Sequence, residues 1–444
     1  MTDRPMSIAE VLGLIAGERF KGALMETCRR LYEIERPFGF AASERSARFC
    51  FEQLQKAHLD EVELLEFPAD GLTDYWDKRM PIAWDARSGR LEVTRPRRAF
   101  ADPVIADHAR SPFHLAMWCA STPPGGIATE LTTENMMQAG ESVQGRLVLA
   151  EPDRLPRTIF RAVCDAGGLG IVSDFVRDPF VTPDGLFWVN SFGETAEWFP
   201  GADSRELLGF LVSPRVGKRL RELLAGGTVR VHAEVDARRG RGTVPAATGA
   251  ILGSERPDEE VWLAAHLCEP LGGDNAPGAG SAMTAVSVLA GLIQRGVLPR
   301  PRRSIRVVMS LELYGMTAVL KTLHGRGRKL AATFVLDGPG FRYPPGAGQT
   351  PPMDLFMSPD VNPLFSERTV REAVGLCLEQ SSEVWRTLNP GQRPGERVRY
   401  DFRPGYLGND AFLGDPMIGG PSFHLHAPEG AFWHNSENTF DGKN

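Results

Sequence analysis

Four apolar runs in the second half of the chain each lead to a polar group able to do chemistry. VWLAAHLC carries His266, IRVVMSLEL carries Glu312, ATFVLDG carries Asp337, and SFHLHAPEGAFWHNSENT carries His434. Strands this continuously apolar are buried on both faces, which is the habit of parallel sheets rather than of sheets with one wet face. Helix-like stretches at Ser281–Arg295 and Met316–Leu323 separate them, so strand and helix alternate. That alternation predicts an α/β domain with a mostly parallel sheet covered on both sides. Ligands of such sheets gather at the carboxyl ends of the strands, where these polar groups stand.

The run around His266 is followed by PLGGDNAPG, a Gly/Pro loop presenting Asp274, and then by a helix of small residues. His266, Asp274, Glu312, Asp337 and His434 together form a metallohydrolase-like set of two histidines and three acids. Each has an ordinary reading as well. His266 at a strand end is also what a hydrogen-bonded core histidine looks like, and Asp274 is a natural turn residue. Asp337 in LDGPG caps a turn equally well. Glu312 is harder to explain structurally, because an unpaired buried carboxylate is costly and shifts its pKa. His424 and His426 alternate on one strand and point the same way, with packing the simpler role.

The rest of the chain is organised around that domain. Residues 7–58 read as helical, with Ile8, Val11, Leu12, Leu14 and Ile15 on one face and a second amphipathic stretch from Ser43 to Leu59. Glu61–Phe67 alternates as a half-buried strand. Between residues 100 and 236 the texture changes to short strands and turns. Ser142–Pro152 reads as a strand, Ile159–Phe175 as helix, Gly-rich turn and strand, Glu206–Leu224 as helix-containing, and Val229–Ala237 as an alternating strand. Arg238–Gly242 reads as a link. Later strands are expected at Leu355–Met357 and Phe423–Leu425, with a helix over Pro363–Glu379. The simplest architecture is one α/β domain from residues 1–99 and 241–444, interrupted by a β-rich insert over 100–240.

At 444 residues, 42% hydrophobic and 24% charged, the chain has the composition of a soluble globular protein of two or three domains. A net charge of −6 leaves no electrostatic footprint for nucleic acid, and the runs Arg238–Arg241 and Arg300–Arg306 are too short to make one. No window approaches the ~20 apolar residues of a membrane span, and the N-terminus lacks the pattern of a signal peptide. The six cysteines are dispersed, with no CxxC pair, as expected of free thiols in a cytoplasmic protein.

HLCEPLGGDNAPG, SLELYG, VLDG, and GNDAFLGDPMIGGPS followed by FWHNSENT resemble the zinc aminopeptidases of the bacterial leucyl aminopeptidase type. That superfamily also holds glutaminyl cyclases and glutamate carboxypeptidases. A bacterial aminopeptidase-like group within it, whose loop typically reads HLCHP and then ANDNASG, is the most similar; here Glu269 replaces the second histidine. The resemblance implies a three-layer zinc exopeptidase-like sandwich. GRLVLAEP and AGGLGIVSD in the insert look like a protease-associated domain.

In that family two zinc ions share an aspartate and a glutamate acts as general base. The resemblance therefore makes Asp274 the bridge, His266 and Asp337 ligands of the first ion, His434 a ligand of the second, and Glu312 the base. The position of the second acid is Leu313, which cannot ligate. Three protein ligands suffice for an open catalytic zinc site, while the second ion keeps only Asp274 and His434. Glu269 or His424 is available to that ion, though spacing requires neither. One zinc ion, two, or none at a fully degenerate site all remain open. Asp410, Trp188 and Asn190 are placed in the substrate pocket; the insert segment carrying Trp188, Asn190, Phe192 and Trp198 either lines the cleft mouth or packs its own loop.

The function so implied is hydrolysis of a peptide, a small amide or an amino-acid-like substrate. The alternatives are a metal-free enzyme of the same ancestry in specialised biosynthesis, or a catalytically dead binding protein. Ser281 lacks the G-x-S-x-G elbow of a serine hydrolase. Cys268 would share the face of His266 and is most simply a small buried hydrophobe. The sequence stops at ENTFDGKN, where the family usually continues into a helix on the sheet. The resemblance thus leaves open a truncated chain or a core capped otherwise, for instance by a partner subunit in a homo-oligomer.

Overall fold

A computed structural model describes residues 6–18, 20–194, 198–340, 343, 347–349, 351–358, 375, 400–405, 408–418 and 420–440. The helix expected over Pro363–Glu379 lies outside the described residues, Gly375 excepted.

The apolar periodicity at the start resolves into helices α1 (Ile8–Gly17), α2 (Lys21–Glu35) and α3 (Phe40–Lys56). A capping box opens α1, Ser7 accepting the Glu10 N–H while the Glu10 carboxylate accepts the Ser7 N–H. Strand β1 (Asp60–Ala69) follows, then a short ribbon of β2 (Asp74–Tyr75) and β3 (Lys78–Arg79).

The chain next builds a sheet of its own. Its strands are β4 (Ala83–Arg95), β5 (Val104–Asp107), β6 (Ile127–Thr133), β7 (Leu147–Leu149), β8 (Gly170–Ser173), β9 (Leu208–Leu211) and β10 (Val229–Gly240). Helices α4 (Glu134–Gln138), α5 (Arg157–Asp165) and α6 (Pro214–Gly226) connect them. The strand order is β5-β4-β10-β6-β7-β8-β9.

The segment read as a Gly/Arg link is strand almost throughout. Arg239 and Gly240 pair with Trp84 and Ala83 of β4, and β11 (Gly242–Ile251) pairs with β1 from Gly242 onward. The backbone thus passes from one ladder to the next at Arg241, which the charge pattern alone does not reveal.

The main sheet is completed by β12 (Arg256–Leu267), β13 (Arg303–Leu311), β14 (Lys329–Asp337), β15 (Met353–Phe356), β16 (Tyr400–Arg403) and β17 (Ser422–His426). Its order is β1-β11-β13-β12-β14-β17-β15-β16. The central four strands run parallel, whereas β1 and β11 on one flank and β15 on the other are antiparallel to their inner neighbours.

Helices α7 (Ala276–Gln294) and α8 (Tyr314–Gly325) supply the crossovers, and α7 packs on β12, β13, β14 and α2. By length and composition α7 would span a membrane, yet over half of its apolar window is buried inside the protein, as in a core helix. Its small residues are required by close approach: a Cβ on Gly278 would stand 2.2 Å from the Leu336 carbonyl oxygen. One large contiguous core runs through both sheets, and a smaller cluster of Leu355, Met357 and Phe423 lies beside β15 and β17. Trp118, Phe199 and Tyr314 bridge them, with centroid spacings of 4.9 and 4.7 Å. Cys28, Cys50, Cys119, Cys164 and Cys268 are free thiols; Cys377 is not among the described residues.

Candidate metal centre

The carboxyl ends of β12, β13 and β14 lie side by side, so His266, Glu312 and Asp337 meet although more than twenty residues separate consecutive members. Beyond β13 the chain turns sharply. Leu313 has φ 58 and ψ −60, and the Tyr314 N–H donates to the Glu312 carbonyl at 2.6 Å, a strained γ-turn that leads directly into α8. The Leu313 N–H is taken by Asp410 at 2.8 Å.

Asn275 fixes the opposite side. Its Oδ1 accepts from Gly278 N and Gly338 N at 3.2 and 2.9 Å, and its amide donates to the His266 and Leu336 carbonyls at 3.3 and 3.0 Å. One side chain therefore caps α7 and ties the ends of β12 and β14 around Asp274. The preceding loop is held by Asn438, which accepts from Gly273 N at 2.8 Å and donates to Glu429.

His266 Nε2 lies 3.0 Å from Asp274 Oδ1 and 4.0 Å from Asp337 Oδ1. The other oxygen of Asp274 faces His434, whose Nε2 is 3.9 Å away. Glu269 Oε2 stands 3.9 Å from Nε2 of both histidines. Three overlapping groups offer ligand atoms all within 4.8 Å of one another: His266–Asp274–Asp337, Glu269–Asp274–His434 and His266–Glu269–Glu312.

Further groups back these side chains. His266 Nδ1 is 3.6 Å from Asp410 Oδ2, an ion-pair distance just beyond hydrogen-bond length. Asp337 Oδ2 is 3.2 Å from His424 Nε2. His434 lies against Trp433, stacked at 4.1 Å, and Trp188 at 4.9 Å.

Glu269, Asp274, Glu312, Asp337, Asp410 and Glu429 thus converge with no Lys or Arg nitrogen among the described residues within 4.0 Å. Burial and neighbouring acids push Glu312 and Glu269 well above the usual carboxylate range. Burial opposes a charge on His266, but Glu312, Asp274, Asp410 and Asp337 hold its imidazolium well above the ordinary value. Burial also opposes ionisation of Asp337, yet its bond to His424 and the nearby histidines hold it below the usual value. Burial pushes His434 down to about 4, leaving it the neutral imidazole that a metal needs.

The donor set suits zinc, which takes imidazole nitrogen and carboxylate oxygen. With His266 Nδ1 turned to Asp410 and Asp337 held by His424, the ligating atoms are oriented from behind, as metal sites require. Among the described residues no lysine or arginine offsets these buried acids, an environment that would favour a bound cation.

The cleft above this cluster, about 210 Å³, is walled by Leu155, Arg157, Asn190, Trp198 and Trp433. Of the expected pocket residues, Asn190 lines it. Asp410 instead lies behind His266 and binds Leu313 N, because its short 3₁₀ turn packs beneath the strand ends. Trp188 flanks His434, its backbone N–H donating to the His434 carbonyl at 2.6 Å. Phe192 packs into the core against Phe160, whereas Trp198 reaches the cleft.

Cys268 does not share the face of His266: a φ of 81 ends the alternation, and Sγ meets Ser43 Oγ at 2.7 Å. His424 is more than packing, since it bonds Asp337, and His426 lines the cleft. Arg157 and Glu429 went unread because an exposed arginine and a loop glutamate carry no local signal. The alternation of His424 and His426 did hold one.

No protein-family model and no curated protein sequence matches the chain. Among solved structures, a peptidase precursor of family M-twenty-eight from Shewanella amazonensis superposes with a TM-score of 0.62 at 15% identity, over 98% of this chain and 92% of that one. A zinc aminopeptidase from Bacillus subtilis superposes at 0.60 and 14% identity, over 94% and 89%. An aminopeptidase from Aneurinibacillus gives 0.53 and 12%, over 97% and 90%. The chain has the three-layer α/β fold that these aminopeptidases and the peptidase share.

Proposed function

We propose that the protein is a zinc-dependent hydrolase of aminopeptidase type, acting on a peptide, a small amide or an amino-acid-like substrate. The observation that carries this reading is the convergence of buried carboxylates and two histidines, with no lysine or arginine among the described residues beside them, at the carboxyl edge of the sheet. His266, Asp274 and Asp337 would hold the first ion, with Asp410 and His424 fixing the orientation of two of them. A bound zinc supplies a Lewis acid that polarises a carbonyl and lowers the pKa of water.

Glu312 is the general base: it opens the γ-turn into α8 at the cleft floor, and its raised proton affinity suits it to take a proton from water and pass it to the leaving amine. The acids at the cleft floor favour a substrate with a free amino group. The second sheet acts as a protease-associated domain that narrows the entrance, since Leu155, Arg157, Asn190 and Trp198 come from it.

The test is to load chelator-treated protein with zinc and follow hydrolysis of aminoacyl anilides. Activity should require the metal, and Glu312→Gln should lower kcat by ~10²–10⁴-fold without changing zinc content. Full turnover in that variant would remove Glu312 from the chemistry, and failure to take up any zinc would sink the hydrolase reading.

A further inference from the structure

We infer that Glu269 supplies the acid of a second cation site, Glu269–Asp274–His434, in place of the ligand that Leu313 cannot provide. This rests on the hydrolase reading above and concerns one residue of its centre.

Asp274 presents its two oxygens to different histidines, Oδ1 to His266 at 3.0 Å and Oδ2 to His434 at 3.9 Å. A carboxylate divided this way is placed to bridge two ions. The first then has His266 and Asp337 in addition. The second has His434, and Leu313, though buried at this edge, brings no donor atom; its N–H is committed to Asp410.

Glu269 meets the need. It is 5% exposed, lines the cleft beside Asp274, and its Oε2 accepts no hydrogen bond from an N–H or hydroxyl donor among the described residues. A buried carboxylate oxygen left unpartnered costs free energy, and this one lies 3.9 Å from His434 Nε2. No lysine or arginine nitrogen among the described residues approaches it. Its loop is anchored, since the next residue, Pro270, gives its carbonyl to Arg36 Nη1 at 3.2 Å, and Arg36 also binds the Ser436 carbonyl beyond His434 at 3.0 Å. One arginine thus holds together the two loops that carry Glu269 and His434. With Asp274 and His434, Glu269 makes three protein ligands, the usual number for an ion that keeps an open position.

The experiment is calorimetric titration of chelator-treated full-length protein with zinc, with elemental analysis after desalting, on the parent, Glu269→Gln, and Glu269→Gln/Leu313→Glu. Circular dichroism confirms that each variant is folded. The parent should take two ions in two steps. Glu269→Gln should keep the first with affinity within about threefold and weaken the second by ~10–100-fold or more. The double variant, with an acid restored at position 313, should recover it.

Two ions bound equally well by the parent and Glu269→Gln would overturn the role of Glu269, as would a parent that takes one ion. A parent that takes none would overturn the hydrolase reading as well. Should Glu269→Gln not fold, Leu313→Glu in the parent background decides the matter. A second ion unchanged by this added acid supports a ligand set that Glu269 already completes, whereas one appearing only in the variant refutes it.

Discussion

The two ends of β12 and β13 both bury charge, and they handle it in opposite ways. At the amino end Glu260 and Arg306 are wholly buried and pair through two bonds of 2.9 and 2.8 Å. Trp262 Nε1 donates to the same carboxylate at 2.8 Å, Thr248 accepts from Arg306 at 3.3 Å, and Glu61 adds a further acid that Arg328 shares. Every charge there has a partner of opposite sign. At the carboxyl end, six residues along the same strands, His266 and Glu312 sit among carboxylates that no lysine or arginine among the described residues meets. A matched buried ion pair locks a fold, whereas an unmatched cluster of acids stores a need for a cation. The contrast separates the structural end of the sheet from the working end.

The largest effect on stability is expected at the matched end. Arg306→Met strips the buried Glu260 of its two guanidinium bonds, leaving only Trp262 and the more distant Arg328 Nε at 3.7 Å, and should cost about 3–5 kcal/mol in urea unfolding. Arg306→Met/Glu260→Leu should recover most of that loss. A single variant within 1 kcal/mol of the parent would contradict the contrast.

The next tests the working end in metal-free protein. Glu35 accepts the Cys268 N–H at 2.7 Å, and burial pushes its carboxyl up to about 7 from 4.5. A raised carboxyl favours the fold while protonated, so its contribution is whole below pH 4.5 and disappears as pH rises through about 7. Glu35→Gln should flatten that slope and exceed the parent at pH 8 by about 2–3 kcal/mol. Unfolding curves at pH 5 and 8 that fall equally in both proteins would dismiss the idea.

The smallest effect is on orientation. Asp410→Asn keeps an acceptor for Leu313 N but removes the charge facing His266 Nδ1, and should weaken the first zinc ion by ~10–100-fold in chelator competition. Unchanged affinity would reduce Asp410 to a structural hydrogen bond.

Much of the main sheet was legible because its signals are local. The apolar runs before His266, Glu312 and Asp337 are continuous, and burial on both faces leaves a parallel strand little other choice. The small residues of α7 likewise announced a helix pressed against the sheet. The second sheet was less legible. Its strands β7, β8 and β9 have three or four residues each, and β4 carries charges along most of its length, so periodicity has little to act on.

By itself the sequence determined which residues end strands and therefore which acids and histidines stand at one edge: His266, Glu312 and Asp337 follow from hydrophobic runs whose length sets where burial stops. Only the tertiary structure decided how those groups face one another. Asp410 went behind His266, Cys268 turned away from the cleft, and His424 and Asp337 paired, because these contacts join residues dozens of positions apart and depend on strand order and on backbone turns at Cys268 and Leu313. Glu269 belongs to the same class. A glutamate after a strand carries no mark of its surroundings until the loop bearing His434 is folded over it, when its Oε2 comes to lie 3.9 Å from His434 Nε2.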